Sequence, residues 1–370
     1  MSLEIFTSDE QSFAQYTLHH RIPKIIDGLI DINPLYAHEL IKLRNSIPNE
    51  SIKHLKAENT YHEDINNTIS SHNYHWNNAP FLFIENYLYH KLSETMNFRN
   101  NRFDYFRHIK LGDLQKKSDK LVGLWQQVEQ ICKLNIDESA QAILKLNLLG
   151  NMADLSQDKE TYNSQANNTL LIDHSKECTR LLKSSTRMDI ILDNAGEELF
   201  LDLCLAYWIL KKTSTKTVQL HFKSIPYFVS DALITDFNDL LCFIADQEGL
   251  ESLARFLSKN IAMENILYSD DEFWSSGLLY SQMPTPLKSL LEPSELLIFK
   301  GDLNYRKLVG DRYWEHTTPT KNIVNYLGMN AVFIRVLKSE VLVGMDKNKI
   351  QETEDRSWLY NGRYGIIDWV

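Results

Sequence analysis

The sequence predicts an α/β protein in which a helical N-terminal region packs on a mainly parallel β-sheet. Residues 11 to about 180 carry apolar side chains mostly at helical spacing. From about residue 184, short β-like runs alternate with helical stretches. Strands and helices in alternation imply a parallel sheet that helices cover on both faces. We therefore predict two units, a helical region at residues 1–180 and an α/β domain at residues 181–370.

Four segments of the N-terminal region show the helical pattern, with apolar residues recurring every three or four positions. They are HRIPKIIDGLIDI (20–32), FLFIENYLYHKLSETM (81–96), DKLVGLWQQVEQICKL (119–134) and SAQAILKLNLLGNM (139–152). Polar, Asn-rich connections such as residues 58–78 separate some of them. This half of the chain therefore supplies helices and no predicted strand.

In the C-terminal half, segments with the pattern of a strand alternate with segments with the helical pattern. The predicted strands are MDIILDN (188–194), TVQLHFKSI (217–225), the apolar start of ELLIFKGDLNYRKL (295–308), AVFIRVLKSEVLVGM (331–345, a strand and its continuation) and RYGIIDWV (363–370). The predicted helices are EELFLDLCLAYWILKK (197–212) and the later part of VSDALITDFNDLLCFIAD (229–246). The segment GDLNYRK, which follows the LLIF strand, is expected to be a loop.

The amino-acid composition and net charge limit the classes of protein to which the chain can belong. Hydrophobic residues make up 43% of the 370 residues and charged residues 24%, which is typical of a soluble globular protein. The net charge of -10 argues against a general nucleic-acid binder. No run approaches the apolar length of a membrane helix, and no secretory signal begins the chain. The four cysteines form no CxxC pair and fit reduced thiols, so we expect a cytoplasmic protein without a membrane partner.

Polar side chains follow the first two strands of the predicted sheet. Asp193 and Asn194 end an apolar run and precede a helix, and Asp231 lies between the next strand and its helix. Ligand sites of open α/β sheets form at such strand ends, and carboxylate and amide oxygens suit Mg²⁺ or Mn²⁺. Each of these residues also fits a helix N-cap, and local sequence does not decide between a cap and a metal site.

Two later segments bring basic residues to the same predicted edge. Asp302, Asn304 and Arg306 lie in the polar run after the LLIF strand, and Arg306 is a phosphate-type donor. Arg335 and Lys338 end the AVFI strand, where a lysine could neutralise a phosphate or lie on the surface. The chain contains no HExxH, GxxxxGK[ST], GxGxxG or GxSxG motif, so the chemistry of those motifs is unsupported.

Four blocks of the chain, in this order and spacing, resemble the damage-control phosphatase family once called domain of unknown function 89. They are LDNAGEEL (192–199), IPYFVSD (225–231), GDLNYRKL (301–308) and RVLK (335–338). Further similar pieces are SFAQYTLHHRIPKIID (12–27), NAPFLFIENYLYHKL (78–92) and LLGNMADLS (148–156), so the resemblance spans nearly the whole chain. Within the family, the chain resembles the sugar-phosphate phosphatases with an RTxK motif, which are also described as acidic-residue (protein-glutamate) methyltransferases.

The resemblance implies an α-helical N-terminal region on a three-layer α/β/α domain that is metal-binding and catalytic. It implies a divalent metal (Mn, Mg, Co or Ni) held by the positions of Asp193, Asn194 and Asp231. Substrate-binding positions correspond to Asp193, Asn194, Asp302, Leu303, Asn304, Tyr305, Arg306 and Lys338. Further pocket positions are Glu85, Asn151, Asp154, Glu198 and Arg335, of which Glu198 matches a position attributed to methyl-donor binding. Asp193 and Asp231 are the candidate catalytic residues.

One residue departs from the family pattern. The motif is Arg-Thr-x-Lys, and Val336 stands in place of the threonine. If the threonine hydroxyl contacts substrate, the substitution should alter affinity or choice of sugar. If the threonine only packs, the substitution should be tolerated.

The sequence therefore predicts a metal-dependent phosphatase for small phosphomonoesters, with fructose 1-phosphate or fructose 6-phosphate as family-level candidates. Asp193 would be a metal ligand, and whether it is also the nucleophile or base stays open. Two alternatives stay open, an S-adenosylmethionine-dependent protein carboxyl methyltransferase and a metal-binding interaction module with weak or no catalysis. The lack of a glycine-rich methyl-donor loop disfavours the first, and the retained Asp193, Asn194, Asp231 and Arg306 disfavour the second.

Overall fold

A seven-stranded, mainly parallel sheet forms the centre of the molecule, as predicted. The computed structural model describes residues 2–149, 169–350 and 356–370. The strands are β1 (Leu3–Glu4), β2 (Leu170–Asp173), β3 (Arg187–Ile191), β4 (Thr217–Phe222), β5 (Ile266–Asp270), β6 (Leu296–Lys300), β7 (Arg312–Tyr313), β8 (Ala331–Val336) and β9 (Gly365–Trp369). The sheet order is β2-β9-β8-β6-β3-β4-β5, and all neighbours are parallel except β8 and β9. Strands β1 and β7 form a separate antiparallel pair.

Helices account for most of the remaining structure. They are α1 (Phe13–Tyr16), α2 (Ile22–Ile32), α3 (Ala37–Ser46), α4 (Thr60–His72), α5 (Phe81–Thr95), α6 (Phe98–Asn101), α7 (Arg107–Lys116), α8 (Ser118–Ile131), α9 (Ile136–Leu149), α10 (Ser175–Ser184), α11 (Glu197–Lys212), α12 (Ile234–Asp246), α13 (Glu251–Ala262), α14 (Thr285–Leu291), α15 (Gly301–Val309), α16 (Thr320–Val324) and α17 (Lys347–Ile350). A π-helical turn, Thr17–Arg21, joins α1 to α2. Within the described residues, no helix is long and apolar enough to cross a bilayer.

The sheet is buried on both faces, which makes three layers. In β6, Leu296 and Ile298 belong to one apolar cluster, and Leu297 and Phe299 belong to another on the opposite face. Side chains alternate along a strand, so apolar runs without polar interruption are typical of a sheet covered on both sides. The first cluster includes residues of α8, α9, α11, α12 and α13, and the second includes residues of α14 and α15. The α/β fold with a helical N-terminal region is thereby confirmed.

A third apolar cluster lies within the N-terminal helices and contacts elements at the carboxyl edge of the parallel strands. It contains core residues of α2, α3, α4 and α5 together with Tyr227 and Leu303. These two residues come from the loop after β4 and from α15, so the helical region packs directly on the elements that follow the strand ends.

Two differences from the sequence prediction concern the start of the sheet and the site, and strand β5 at the far edge of the sheet was also not predicted. The run Leu170–Asp173 is strand β2 at the sheet edge, although residues up to about 180 were expected to be mostly helical. Four residues are too few for a period to distinguish strand from helix. The sheet thus begins before residue 181, while the division into two units stays a prediction.

The second difference is that GDLNYRK forms the helix α15 and not a loop. Gly301 adopts a φ of +80°, so the chain turns from β6 into the helix without intervening residues. Its polar residues made the segment look like a loop, but Asn304, Arg306 and Lys307 are buried there with hydrogen-bond partners.

Candidate functional site

The turns after β3 and β4 bring Asp193, Asn194 and Asp231 together. Asn194 and Asp231 are paired in an isolated antiparallel bridge. The Ala232 amide donates to the Asp193 carbonyl at 2.8 Å, and the Ala195 amide donates to the Ser230 carbonyl at 2.7 Å. Backbone hydrogen bonds therefore hold the two turns side by side, at the edge where the sequence predicted a site.

Glycine at position 301 allows the Asp193 carboxylate to lie against the backbone of α15. A Cβ atom built on Gly301 would be 1.9 Å from Asp193 Oδ2, so no other residue fits without displacing the carboxylate. Asn304 fixes the same strand end, because its Nδ2 donates to the Leu192 carbonyl at 3.0 Å and to the Lys300 carbonyl at 2.8 Å. Tyr280 in turn donates to Asn304 Oδ1 at 2.8 Å.

The Asn194 amide lies between two carboxylates. Its Nδ2 donates to Asp193 Oδ2 and to Glu198 Oε2, each at 2.8 Å. Its Oδ1 accepts a hydrogen bond from Ser230 Oγ at 2.6 Å. Both turns thus converge on this amide, and Ser230 sets its orientation.

Negative charge is concentrated and buried at this point. Burial raises the pKa of Asp193 well above its usual value, and the nearby Glu198 and Asp231 carboxylates add to the effect, whereas Lys223 and Lys338 oppose it. Burial also raises the pKa of Asp231 to about 6, with Lys223 and Lys110 acting in the opposite direction. Like charges in a low-dielectric site repel, so a cation bound there would relieve the repulsion.

The side chains of Asp193, Asn194 and Asp231 carry the kind of oxygen atoms that a hard divalent metal prefers. Two carboxylates and one amide provide oxygen ligands, and Asp231 Oδ2 is buried without a hydrogen bond, although Lys223 Nζ lies 3.3 Å away. For Asn194 to act as a ligand, its amide must turn, because the oxygen faces Ser230 and the nitrogen faces the carboxylates. Among the described residues, no group of three or more His, Cys, Asp or Glu side chains has metal-binding geometry.

A series of buried ion pairs extends from the site into the core. Lys300 Nζ lies 3.1 Å from Glu198 Oε1 and 2.6 Å from Asp202 Oδ1. Asn147 Nδ2 donates to the same Asp202 oxygen at 2.9 Å. Glu198, matched in sequence to a methyl-donor position, is therefore engaged with Asn194 and Lys300.

Sequence reasoning missed three residues of this site, Lys223, Ser230 and Lys300. Lys223 directly follows the buried strand β4, and Lys300 is the last residue of the buried strand β6. A charged residue at the end of a buried strand is the sequence signal that could have identified both. The Ser230 side chain donates a hydrogen bond to Asn194 in the neighbouring turn, a contact that local sequence does not show.

The α15 residues predicted to bind substrate have mainly internal partners. Arg306 Nε and Nη2 donate to both Asp311 oxygens at 2.7 and 3.0 Å, and Nη1 donates to Glu85 Oε2 at 2.7 Å. Leu303 packs in the N-terminal apolar cluster, and the Tyr305 ring lies under the Arg335 guanidinium at 4.3 Å. These groups brace α15, and their predicted contact with substrate stays a prediction.

Asp302 ties α15 to the segment after β8. Its Oδ1 accepts from Arg335 Nε at 2.8 Å, from the Lys338 amide at 3.0 Å and from Ser339 Oγ at 3.1 Å. Burial would raise the pKa of Asp302, but the Arg335 and Arg306 charges and the Lys338 amide outweigh burial and lower it. The Lys338 side chain is exposed and acts electrostatically on Asp193. Asp302 thus places Lys338 beside the acidic cluster.

Val336, the departure from the motif, is 1% exposed and lies in the main apolar cluster. It faces away from Arg335, whose side chain points to the opposite face of β8. Asn151 and Asp154 lie outside the described residues.

A family model described as "Damage-control phosphatase ARMT1-like domain" matches residues 17–353. The curated proteins named "Damage-control phosphatase ARMT1" from Macaca fascicularis and Homo sapiens are each 28% identical over 429 residues, covering 98% of this chain and 97% of the relative. The Danio rerio protein of that name is 28% identical over 425 residues, covering 97% and 95%. A DUF89 family protein from Pyrococcus horikoshii, solved by crystallography, is similar with a TM-score of 0.50 and 15% identity, covering 94% and 97% of the two chains. That last likeness concerns the fold alone.

Proposed function

The chain belongs to the damage-control phosphatase ARMT1-like family, and from this we propose that it is a divalent-metal-dependent hydrolase of phosphomonoesters, with sugar phosphates as substrates. The resemblance seen in the sequence is thereby confirmed. The observation that supports metal dependence is the buried cluster of Asp193, Asn194 and Asp231 at the strand ends, where burial raises the pKa of both carboxyl groups and the Glu198 carboxylate adds to the effect.

In this proposal Asp193, Asn194 and Asp231 hold the cation. A bound metal supplies charge that neutralises a phosphate oxygen and lowers the pKa of water. Gly301 lets Asp193 reach its position, and Ser230 fixes the Asn194 amide. The two residues after Asn194 lead into α11, whose first backbone N–H groups favour an anion.

Positive side chains then orient the phosphate. Lys338 is exposed next to the acidic cluster, where it can contact a phosphate oxygen by a charge-assisted hydrogen bond. Lys223 stays with Asp231 at 3.3 Å and balances part of the charge on that ligand. Lys300 holds Glu198 in place, and Glu198 in turn accepts a hydrogen bond from the Asn194 amide nitrogen.

The direct test is phosphate release from fructose 1-phosphate, fructose 6-phosphate and an aryl phosphate. We expect chelated protein to be inactive and Mn²⁺, Mg²⁺, Co²⁺ or Ni²⁺ to restore turnover. We expect Asp193→Asn to reduce kcat by at least about 10²-fold, because the substitution removes a charge that holds the cation. Asp239→Asn, which removes a carboxylate paired with Arg107 on the surface, serves as the control and should retain activity.

Unchanged turnover in Asp193→Asn, or full activity after chelation, would contradict the metal assignment. A methyl-transfer assay with S-adenosylmethionine and an acidic acceptor protein, run on the same preparation, tests the methyltransferase alternative. Methyl transfer without phosphate release would replace the proposed reaction.

A further inference from the structure

Two buried histidines join the N-terminal helices away from the candidate site. His62 lies on α4 and His90 on α5, and they are 6% and 4% exposed. Their rings are perpendicular, and His62 Nε2 lies 3.0 Å from His90 Nδ1. The other two nitrogens face backbone carbonyls: His62 Nδ1 lies 2.9 Å from the Lys56 oxygen, and His90 Nε2 lies 2.8 Å from the Ser275 oxygen. All four ring nitrogens therefore have a hydrogen-bond partner.

The three hydrogen bonds of this pair require three ring protons. A carbonyl oxygen only accepts, so His62 Nδ1 and His90 Nε2 must each carry a proton. The contact between the rings needs one more, because two unprotonated nitrogens at 3.0 Å would direct their lone pairs at each other. Two neutral imidazoles carry only two protons between them. The pair therefore completes its hydrogen bonds with one extra proton, which gives it a single positive charge.

The extra proton belongs to His62. Burial lowers the pKa of His90 to about 3, and the positive charges of His62 and Lys307 act in the same direction, while the bond to the Ser275 carbonyl opposes them. His90 is thus neutral, with its proton on Nε2 and an accepting Nδ1. His62 then donates from Nδ1 to the Lys56 carbonyl and from Nε2 to His90. The pair holds one proton and excludes a second.

The pair lines a cavity of 410 Å³, and the charged groups around it favour a cation. Lys307 faces His90 from α15, but burial lowers the pKa of this lysine well below its usual value. The Tyr227 ring, centred 6.3 Å from the His90 ring, is neutral because burial raises the pKa of its hydroxyl well above its usual value. An excess of negative charge stabilises a protonated imidazole. Four carboxylates and two guanidinium groups line the cavity, from Glu58, Asp270, Asp271, Glu272, Arg99 and Arg102.

A metal ion is the other cation that two facing imidazole nitrogens could share. Metal sites with histidine ligands in proteins use three or four protein ligands. The described part of the chain brings no third His, Cys, Asp or Glu ligand together with the two rings. A proton is therefore the cation that fits between His62 and His90.

The pair connects the N-terminal helices to the edge of the sheet that carries the candidate site. Ser275, whose carbonyl accepts from His90, lies in the turn after β5, and its hydroxyl accepts a hydrogen bond from the Ser224 amide at 2.9 Å. Ser224 begins the segment that leads from β4 to Asp231. Hydrogen bonds thus run from the segment before α4, through both rings, to the start of that segment. Removal of the extra proton breaks one of them.

We infer that His62 and His90 form a buried site for one proton, which holds α4 to α5 and to the turn after β5. This inference does not depend on the proposed function. At pH 7 a histidine of the unfolded chain is mainly neutral, so the folded pair binds a proton that the unfolded chain lacks. Stability therefore falls as the pH rises above about 6.5. Toward acid it falls as well, because the unfolded chain then binds a second proton that the folded pair excludes.

The first test is NMR of the protein with ¹⁵N-labelled histidine at pH 7. The variants His62→Gln and His90→Gln identify the signals of the pair. We expect both nitrogens of His62 to be protonated and His90 to be protonated on Nε2 alone. His38, with a side chain that is 80% exposed, is the internal control and should be mainly neutral. A neutral His62 at pH 7 would overturn the inference.

The second test is denaturant unfolding between pH 6.5 and 8. In His62→Gln, the side-chain amide can donate to His90 Nδ1 without a charge, so the need for a proton disappears. We expect the unfolding equilibrium constant of the wild type to rise up to about tenfold more per pH unit than that of His62→Gln, which corresponds to one proton. His38→Gln should retain the wild-type pH dependence.

Two outcomes of the unfolding experiment contradict the proton site. One is the same pH dependence in the wild type and in His62→Gln. The other is stabilisation of the wild type by added Zn²⁺ that is lost in His62→Gln, since the pair would then bind a metal ion in place of the proton.

Discussion

Asn194 connects the two turns of the candidate site and contacts its carboxylates. Its amide joins the two turns through Ser230 and separates the Asp193 and Glu198 carboxylates. An Asn in that position has a partial positive charge on nitrogen and a ligand atom on oxygen, so one rotation converts it from a spacer to a metal ligand. The helix-cap interpretation explains neither the convergence of these carboxylates nor the raised pKa of Asp193.

Val336 provides a residue-scale prediction about the motif. Its side chain is in the apolar cluster, so Val336→Thr buries a hydroxyl there and should lower the free energy of unfolding by about 1–3 kcal/mol. We expect KM for sugar phosphates to be unchanged. Val332→Thr, at another fully buried position on the same face of β8, is the matched control for stability. Denaturant unfolding and steady-state kinetics measure both quantities, and a lower KM in Val336→Thr alone would show a substrate contact.

At the scale of elements, the site depends on two strand-to-helix connections. The chain leaves β3 through Asp193 and Asn194 into α11, and it leaves β6 through Gly301 directly into α15. Because β3 and β6 are neighbours in the sheet, the second connection packs on the first. The rigid start of α15 thereby sets the position of the Asp193 carboxylate.

Replacing Gly301 tests this connection. In Gly301→Ala, the new Cβ overlaps Asp193 Oδ2 and the residue keeps a φ of +80°, so we expect a loss of stability of about 1–3 kcal/mol. Metal-dependent activity should fall with it. Gly123→Ala in α8 is the control, because its Cβ meets nothing within 4 Å and alanine favours a helix. Wild-type activity in Gly301→Ala would show that the position of Asp193 does not depend on this glycine.

The element boundaries show what the sequence can and cannot predict. Helix 197–212 and strands β3, β4, β6, β8 and β9 were predicted, the helix from its long periodic pattern and the strands from short β-like runs that alternate with helical stretches. Helix α15 was not, because its polar residues are buried by partners that are distant in sequence, such as Glu85 for Arg306. Strand β2 was missed because a short apolar run has no diagnostic period.

At the scale of the whole molecule, the N-terminal helices complete the site. Lys110 of α7 donates to the Asp231 carbonyl at 2.8 Å and pairs with Asp236 at 2.8 Å. Asn86 of α5 accepts a hydrogen bond from Tyr227 in the turn after β4. These contacts cross the predicted division at residue 180, so neither part would keep the turn in place alone. The ends of the predicted strands identified the candidate ligands from sequence, but Lys110, Lys223 and Lys300 meet their partners only through contacts between distant segments.

The most direct test of the account is calorimetric titration of Mn²⁺ into chelated protein. The account predicts one Mn²⁺ per chain for the wild type and at least about 10²-fold weaker binding for Asp193→Asn and Asp231→Asn, with Asp239→Asn unaffected. Bound metal should also raise the Tm, because only the folded chain brings the three residues together. Absence of Mn²⁺ binding, or equal affinity in the wild type and both site variants, would contradict the assignment of Asp193, Asn194 and Asp231 as a metal site.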